Sequence, residues 1–125
     1  MVSERQAFTI IPSKDPASLR PFYEDVLGLA VTEAGEGYVR FAAGDGSVFA
    51  ISRSGGAASG THTQMAFDVP DVRAAVTALL ARGVVFESYE QPKTVDFVAR
   101  MPAGEAAWFK DPEGNILALL ERAPA

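Results

Sequence analysis

Cysteine is absent from this 125-residue chain, which excludes disulfides, thiolate metal sites and a thiol nucleophile, and leaves the redox compartment open with a lean towards the cytosol. Histidine occurs once, as His62, so a site that needs two imidazoles cannot be built within one subunit. Basic residues are outnumbered: Lys and Arg total 11 against 16 Asp and Glu, for a formal charge of −5. With no local cluster of lysines and arginines, that balance argues against a protein that tracks nucleic-acid phosphates. No apolar run approaches the ~18 residues of a membrane span, and Met1 to Gln6 lacks the basic and apolar parts of a signal peptide. The expectation is a soluble, cytoplasmic protein with neither nucleic-acid nor membrane partners. Familiar catalytic patterns are missing as well. Gly55 to Gly60 has neither the lysine nor the following helix of a phosphate cradle. Ser59, His62 and Asp68 have no nucleophile-bearing turn to present them, and Glu87 with Glu90 reads as a solvated carboxylate pair.

What is present is a chain long enough, at 48% hydrophobic residues, to bury roughly two-thirds of its unfolded surface in one domain. It repeats itself. Phe109, Gly114 and Ala118 stand at one constant spacing from Phe41, Gly46 and Ala50, so strand, turn and strand recur in register. Ala7 to Ile11 reads as a strand, Asp15-Pro16 as a helix cap followed by proline at the first helical position. Leu19, Phe22, Tyr23, Val26 and Leu27 recur at near-helical spacing up to Gly28, with Pro21 keeping the helix short. Strands are predicted for Leu29 to Glu33, Tyr38 to Ala42 and Ser47 to Arg53, joined by Gly35-Glu36-Gly37 and Gly44-Asp45-Gly46 turns. A flexible linker, residues 55–60, separates this half-module (about 6–54) from a second (about 61–122). There Thr63 to Val69 reads as a strand and Asp71 caps a helix carrying Val72, Val76, Leu79 and Leu80, closed by Gly83. Val84 to Tyr89, Glu105 to Phe109 and Asn115 to Glu121 complete the module as strands. Tyr89 to Phe97 reads as a long loop or lip.

The tandem βαβββ pattern, with Phe22-Tyr23 through Val26-Leu27-Gly28-Leu29 early and Asp111-Pro112-Glu113-Gly114-Asn115 late, resembles the vicinal oxygen chelate superfamily. That group includes glyoxalase I, extradiol dioxygenases and fosfomycin- and bleomycin-resistance proteins. The resemblance runs from about Ala7 to Glu121. It implies a single α+β domain over residues 1–125, in which the two modules form a curved, mixed eight-stranded sheet around a concave cleft, with the helices outside. It also implies a homodimer, and, in the enzymes of the group, a divalent metal held by histidine and carboxylate side chains from four strands. Carried over residue by residue, those four positions fall on Phe8, Ala50, Gln64 and Ala118. Only the Gln64 amide offers a donor, so no metal or other cofactor is expected.

Side chains alternate across a strand, and residues sharing parity with those four positions share their face. That face would hold Phe8, Ile10, Tyr38, Arg40, Ala50, Ser52, His62, Gln64, Ala66, Trp108, Ala118 and Leu120. The opposite parity, including Ile11, Val39, Phe41, Phe49, Ile51, Phe67, Phe109, Leu117 and Leu119, is nearly all apolar, as strands packed under helices should be. Aromatic walls, small floor residues and a few polar groups are the make-up of a small-ligand pocket. The expected function is metal-independent binding of a partly planar, cationic drug or metabolite, of the bleomycin-resistance kind. Two alternatives are a lyase, isomerase or dioxygenase relative that works through an unrecognised or metal-free site, using Arg40, His62 or Tyr38, and a vestigial cleft with a purely interaction role.

Overall fold

The computed structural model describes residues 1–44, 46–53 and 56–124. The middle of the Gly44-Asp45-Gly46 turn and the Ser54-Gly55 junction at the start of the linker lie outside the described residues. Contacts divide the chain into two compact units, Met1–Ala58 and Ser59–Ala125.

In the first unit, strand β1 (Thr9–Pro12) leads to helix α1 (Pro16–Pro21) and then to β2 (Ala30–Gly35), β3 (Tyr38–Ala43) and β4 (Ser47–Ser52). The Asp15 carboxylate caps α1 by accepting from the Ser18 amide at 3.3 Å and the Ser18 hydroxyl at 2.7 Å, which satisfies one of the donors a helix start leaves unpaired. Pro21 ends the α-helical bonding, and Phe22–Val26 continue as a wider π-helical turn because proline has no N–H to give. α1 and this turn lie over β3 and β4, and Tyr23, Phe41 and Phe49 form a ring cluster with centroids 5.2 to 5.6 Å apart. Ile11, Leu19, Tyr23, Phe41 and Ile51 are buried almost completely; each such side chain contributes about 1.5–3 kcal/mol.

The second unit runs β5 (Thr63–Asp68), α2 (Val72–Ala81), β6 (Thr94–Val95), β7 (Val98–Met101), β8 (Gly104–Lys110) and β9 (Ile116–Arg122). Asp71 caps α2 through the Ala74 amide at 3.1 Å, and α2 packs on β8 and β9. Between β8 and β9, Asp111 organises the turn. Its Oδ1 accepts from the Glu113 and Asn115 amides at 2.9 and 3.0 Å, while Gly114 closes the turn on the Asp111 carbonyl at 2.9 Å with a φ of 92°. Positive φ is what glycine supplies at no steric cost.

The expected curved eight-stranded sheet does not form. Among the described residues there are two open mixed sheets, of four strands in the order β1-β4-β3-β2 and of five in the order β5-β9-β8-β7-β6, and neither is curled or closed. The reason lies in the edges. β1 pairs only with β4 and β5 only with β9, both in parallel, so no ladder joins one sheet to the other, and the single concave surface expected of a continuous sheet falls with it. The second sheet also differs in content. Val84 to Tyr89 is no strand: it touches β8 through one bridge, Phe86 to Phe109, and through the Glu87 amide on the Trp108 carbonyl at 2.8 Å. The sheet position goes to Val98–Met101, which the sequence left without an element and which pairs with the other half of β8 at Ala99–Ala106.

Candidate functional site

The strand registers decide which candidate residues share a face. In the first sheet, Ile10, Ala50 and Arg40 form one row across β1, β4 and β3, and Ser52 and Tyr38 form the next. This face is the one turned away from α1. Phe8 and Ile10 are 43% and 47% exposed, Tyr38, Arg40 and Ser52 half-buried, and Ala50 buried. The Arg40 guanidinium lies 4.5 Å from the centroid of the Phe8 ring. The Tyr38 hydroxyl donates to Glu33 Oε2, and that bond, followed by burial and the Glu33 charge, raises the Tyr38 pKa above its ordinary 10.0.

In the second sheet, Ala66, Ala118 and Trp108 form one row and Leu120 and Ala106 belong to the next. Gln64 sits at an irregularity between Thr63 and Met65, half-buried, and His62 precedes the strand on an exposed loop. The His62 Nδ1 is 2.7 Å from the Ser59 hydroxyl. That hydroxyl also accepts from the Thr61 amide and hydroxyl at 3.2 Å.

Trp108 is the centre of this face. It is packed with Ala99, Ala106, Ile116 and Ala118, and its indole meets the Tyr89 ring edge-on at a centroid distance of 5.5 Å, a geometry aromatic quadrupoles favour. The two rings line an open pocket of about 450 Å³, together with His62, Glu87, Lys110 and Ile116. Glu87 and Lys110 are its charged wall residues. The Lys110 ammonium is 3.6 Å from Glu87 Oε1. The Tyr89 phenol is raised above 10.0, first by burial and then by the charge of Glu87 and a hydrogen bond to it. A larger hollow of about 770 Å³ takes in Ala66 and Leu120, and its walls are the β7–β8 turn, exposed apolar side chains such as Met101 and the charged Asp68, Glu105, Glu121 and Arg122, with no aromatic ring. Stacking surface and a partly desolvated carboxylate occur together only in the smaller of these two pockets, which makes it the better ligand site.

Of the residues expected in the site, the structure brings Trp108 and His62 into this pocket, and places Ala118 beside Trp108 beneath it. Ile10, Tyr38, Arg40, Ala50 and Ser52 share the face of the first sheet turned away from α1, and Phe8, just before β1, lies against Arg40 there. Tyr89 was expected only as the start of a lip over the cleft, and Glu87, expected as half of a solvated carboxylate pair, is instead partly buried and paired with Lys110. The signal for Tyr89 was an aromatic side chain ending the Val84–Phe86 alternation; its approach to Trp108 depends on the Tyr89–Thr94 turn, in which the Thr94 amide and hydroxyl bond back to Tyr89. No sequence pattern specifies that turn.

The metal that the family resemblance implies does not fit these residues. Phe8, Ala50 and Ala118 carry no donor atom, and among the described residues no group of three or more His, Cys, Asp or Glu is gathered to hold an ion. Among the described residues no helix is long and apolar enough to cross a membrane.

A family model described as the Glyoxalase/Bleomycin resistance protein/Dioxygenase superfamily matches residues 5–119. No curated protein matches the chain significantly. Among solved structures, UcmS2 superposes with a TM-score of 0.73 at 23% identity, covering 93% of this chain and 96% of that one. TnmS3, an antibiotic binding protein from Streptomyces sp. CB03234, gives 0.72 at 22% identity over 95% and 96%. A lactoylglutathione lyase from Agrobacterium tumefaciens gives 0.70 at 19% identity over 94% and 92%. At these identities the likeness is one of fold, and the fold accommodates both a binding protein and an enzyme.

Proposed function

We propose a function for a chain that belongs to the Glyoxalase/Bleomycin resistance protein/Dioxygenase superfamily: it binds a small, partly planar molecule against Trp108 and Tyr89, without a catalytic metal. The observation that carries this reading is the edge-to-face Trp108–Tyr89 pair lining a pocket whose charged wall residues are Glu87 and Lys110. A planar ligand gains stacking and burial on the indole, worth about 0.5–1.5 kcal/mol beyond area for an aromatic pair. A cationic substituent would replace Lys110 as the partner of Glu87, and the net charge of −5 favours its approach. Fold alone does not choose between binding and catalysis; the hydrocarbon side chains at Phe8, Ala50 and Ala118 favour binding. A ligand-contact role for the first-sheet face from Phe8 to Ser52, a homodimeric state and a cytoplasmic location belong to the same proposal.

The chain has one tryptophan, so its emission reports this pocket directly. Titration with planar cationic antibiotics and aromatic metabolites is expected to change that emission saturably for at least one class. A ligand at about 100 times its dissociation constant would also stabilise the fold by about 2.7 kcal/mol. Loss of the thermal shift in Trp108→Ala, with the fold intact by circular dichroism, would complete the case. A shift that survives Trp108→Ala places the ligand elsewhere. The enzymatic alternative rests on a separate observation, the Ser59–His62 hydrogen bond at the pocket rim. It requires turnover that His62→Gln abolishes, or a stoichiometric divalent metal in purified protein that supports activity; either finding would sink the binding reading.

A further inference from the structure

Among the described residues of the first unit, Arg5, Arg40 and Arg53 pair with no carboxylate, and of these only Arg40 is not exposed. Arg20, Arg73, Arg100 and Arg122 each pair with a carboxylate. Arg40, half-buried in the middle of β3, pairs with none among the described residues. Glu33, its partner across β2 and β3, accepts from the Tyr38 hydroxyl instead. Asp68, in the second unit, is held by Arg122 at 2.8 Å. The Arg40 Nε–H is sealed from solvent and has no hydrogen-bond partner, whereas its terminal nitrogens are not among the sealed, unpartnered atoms. A partly desolvated guanidinium without an anion is costly, and the Phe8 ring 4.5 Å away offsets only part of that, about 0.5–2 kcal/mol for a cation over an aromatic face. Buried polar groups nearly always have partners, so an orphan of this kind calls for a cause.

We propose that Arg40 is an oxyanion-recognition residue: its terminal nitrogens receive the carboxylate of an organic acid whose apolar body lies on the exposed Phe8 and Ile10 side chains. With Nε–H sealed, the two terminal nitrogens are the forked edge left for a bidentate carboxylate. Lysine could not substitute, since it offers a point charge without the fork. Phosphate shares the oxyanion chemistry but not the apolar body, and it separates the two sources. The inference rests on the ligand-contact role proposed for the first-sheet face and is independent of the Trp108 pocket.

The sealed Nε–H should exchange slowly and give its own proton–nitrogen correlation in labelled protein, assigned by its loss in Arg40→Lys. Benzoate is expected to shift that correlation saturably and inorganic phosphate is not. By calorimetry, Arg40→Lys should weaken benzoate at least about tenfold, the size of one lost charge-assisted hydrogen bond, and Phe8→Leu should weaken it less, while Arg53→Gln, an exposed arginine, leaves it unchanged. Backbone amide spectra of Arg40→Lys and Phe8→Leu establish that both remain folded. Absence of a saturable shift, equal binding of phosphate and benzoate, or an equal loss in Arg53→Gln would each overturn the proposal. Since the readout is at Arg40 and not at Trp108, its failure removes the ligand-contact role of the first-sheet face and leaves the Trp108 pocket untouched, and the reverse.

Discussion

Tyr89 shows what one side chain contributes to both stability and site. Burial and the neighbouring Glu87 carboxylate raise its phenol above 10.0, so the fold favours the neutral form. That contribution is fully present below the unfolded value near 10.0 and is lost as pH rises through the higher folded value. Denaturant melts at increasing alkaline pH should therefore show a stability loss that Tyr89→Phe reduces, and phenolate absorbance should place Tyr89 above a free tyrosine. Asp15 runs the other way. Its hydrogen bonds to the Ser18 side chain and amide hold its carboxyl below 3.8, so its contribution is present above the unfolded value and lost as pH falls through the folded one. Asp111 is the most consequential carboxylate for the turn. It is 4% exposed and accepts from the Glu113 and Asn115 amides and, at 2.8 Å, from the Asn115 side chain. Asp111→Ala should cost about 2–4 kcal/mol in urea unfolding, because buried donors lose a charged acceptor.

Among the elements, the β8–β9 pairing is most sensitive to one atom. A Cβ on Gly104 would lie 1.9 Å from the Glu121 carbonyl oxygen and 2.8 Å from the Ala123 nitrogen, at a φ of +144°. Both contacts are backbone, which cannot swing aside. Gly104→Ala should therefore destabilise by about 3 kcal/mol or more, through strain and displacement together. Gly83, after α2, has a φ of +87° and nothing within 4 Å of a Cβ, so Gly83→Asn should cost only about 1 kcal/mol or less, since asparagine tolerates that conformation. Thermal melts of the two variants side by side test the distinction. The elements themselves were legible where local chemistry is strong. The Asp15 and Asp71 caps and the strands containing Phe41, Phe49 and Leu117 follow from caps and alternation. Val84 to Tyr89 was misread because Val84 and Phe86 do bury with the alternation of a strand, while the neighbouring place along β8 belongs to Val98–Met101, a choice made by pairing distant in sequence.

At the scale of the molecule, two open sheets each present one face under a helix and another carrying the candidate residues. The proposed homodimer is expected to elute in size-exclusion chromatography with light scattering at about twice 13.2 kDa; a monomer mass at working concentration would remove that part of the proposal. Two faces bearing opposite charge opportunities, Glu87 beside Trp108 and Arg40 over Phe8, make a sharper expectation. Ligands of opposite sign should respond to different substitutions, and competition between them would show that one site had been mistaken for two.

By itself the sequence determined the helix caps, the Asp111 turn and which neighbouring positions alternate within a strand, because those follow from short-range geometry: a period of two, a capping carboxylate, a glycine at positive φ. It also determined that Phe8, Ala50 and Ala118 offer no metal donor, because residue type alone settles that. Only the tertiary structure decided that the strands divide into two open sheets, that Tyr89 and Glu87 meet Trp108, and that Arg40 is left without a carboxylate among the described residues. Those outcomes depend on which edges find partners and which carboxylates are claimed elsewhere, and contacts between distant residues leave no periodic trace in the chain.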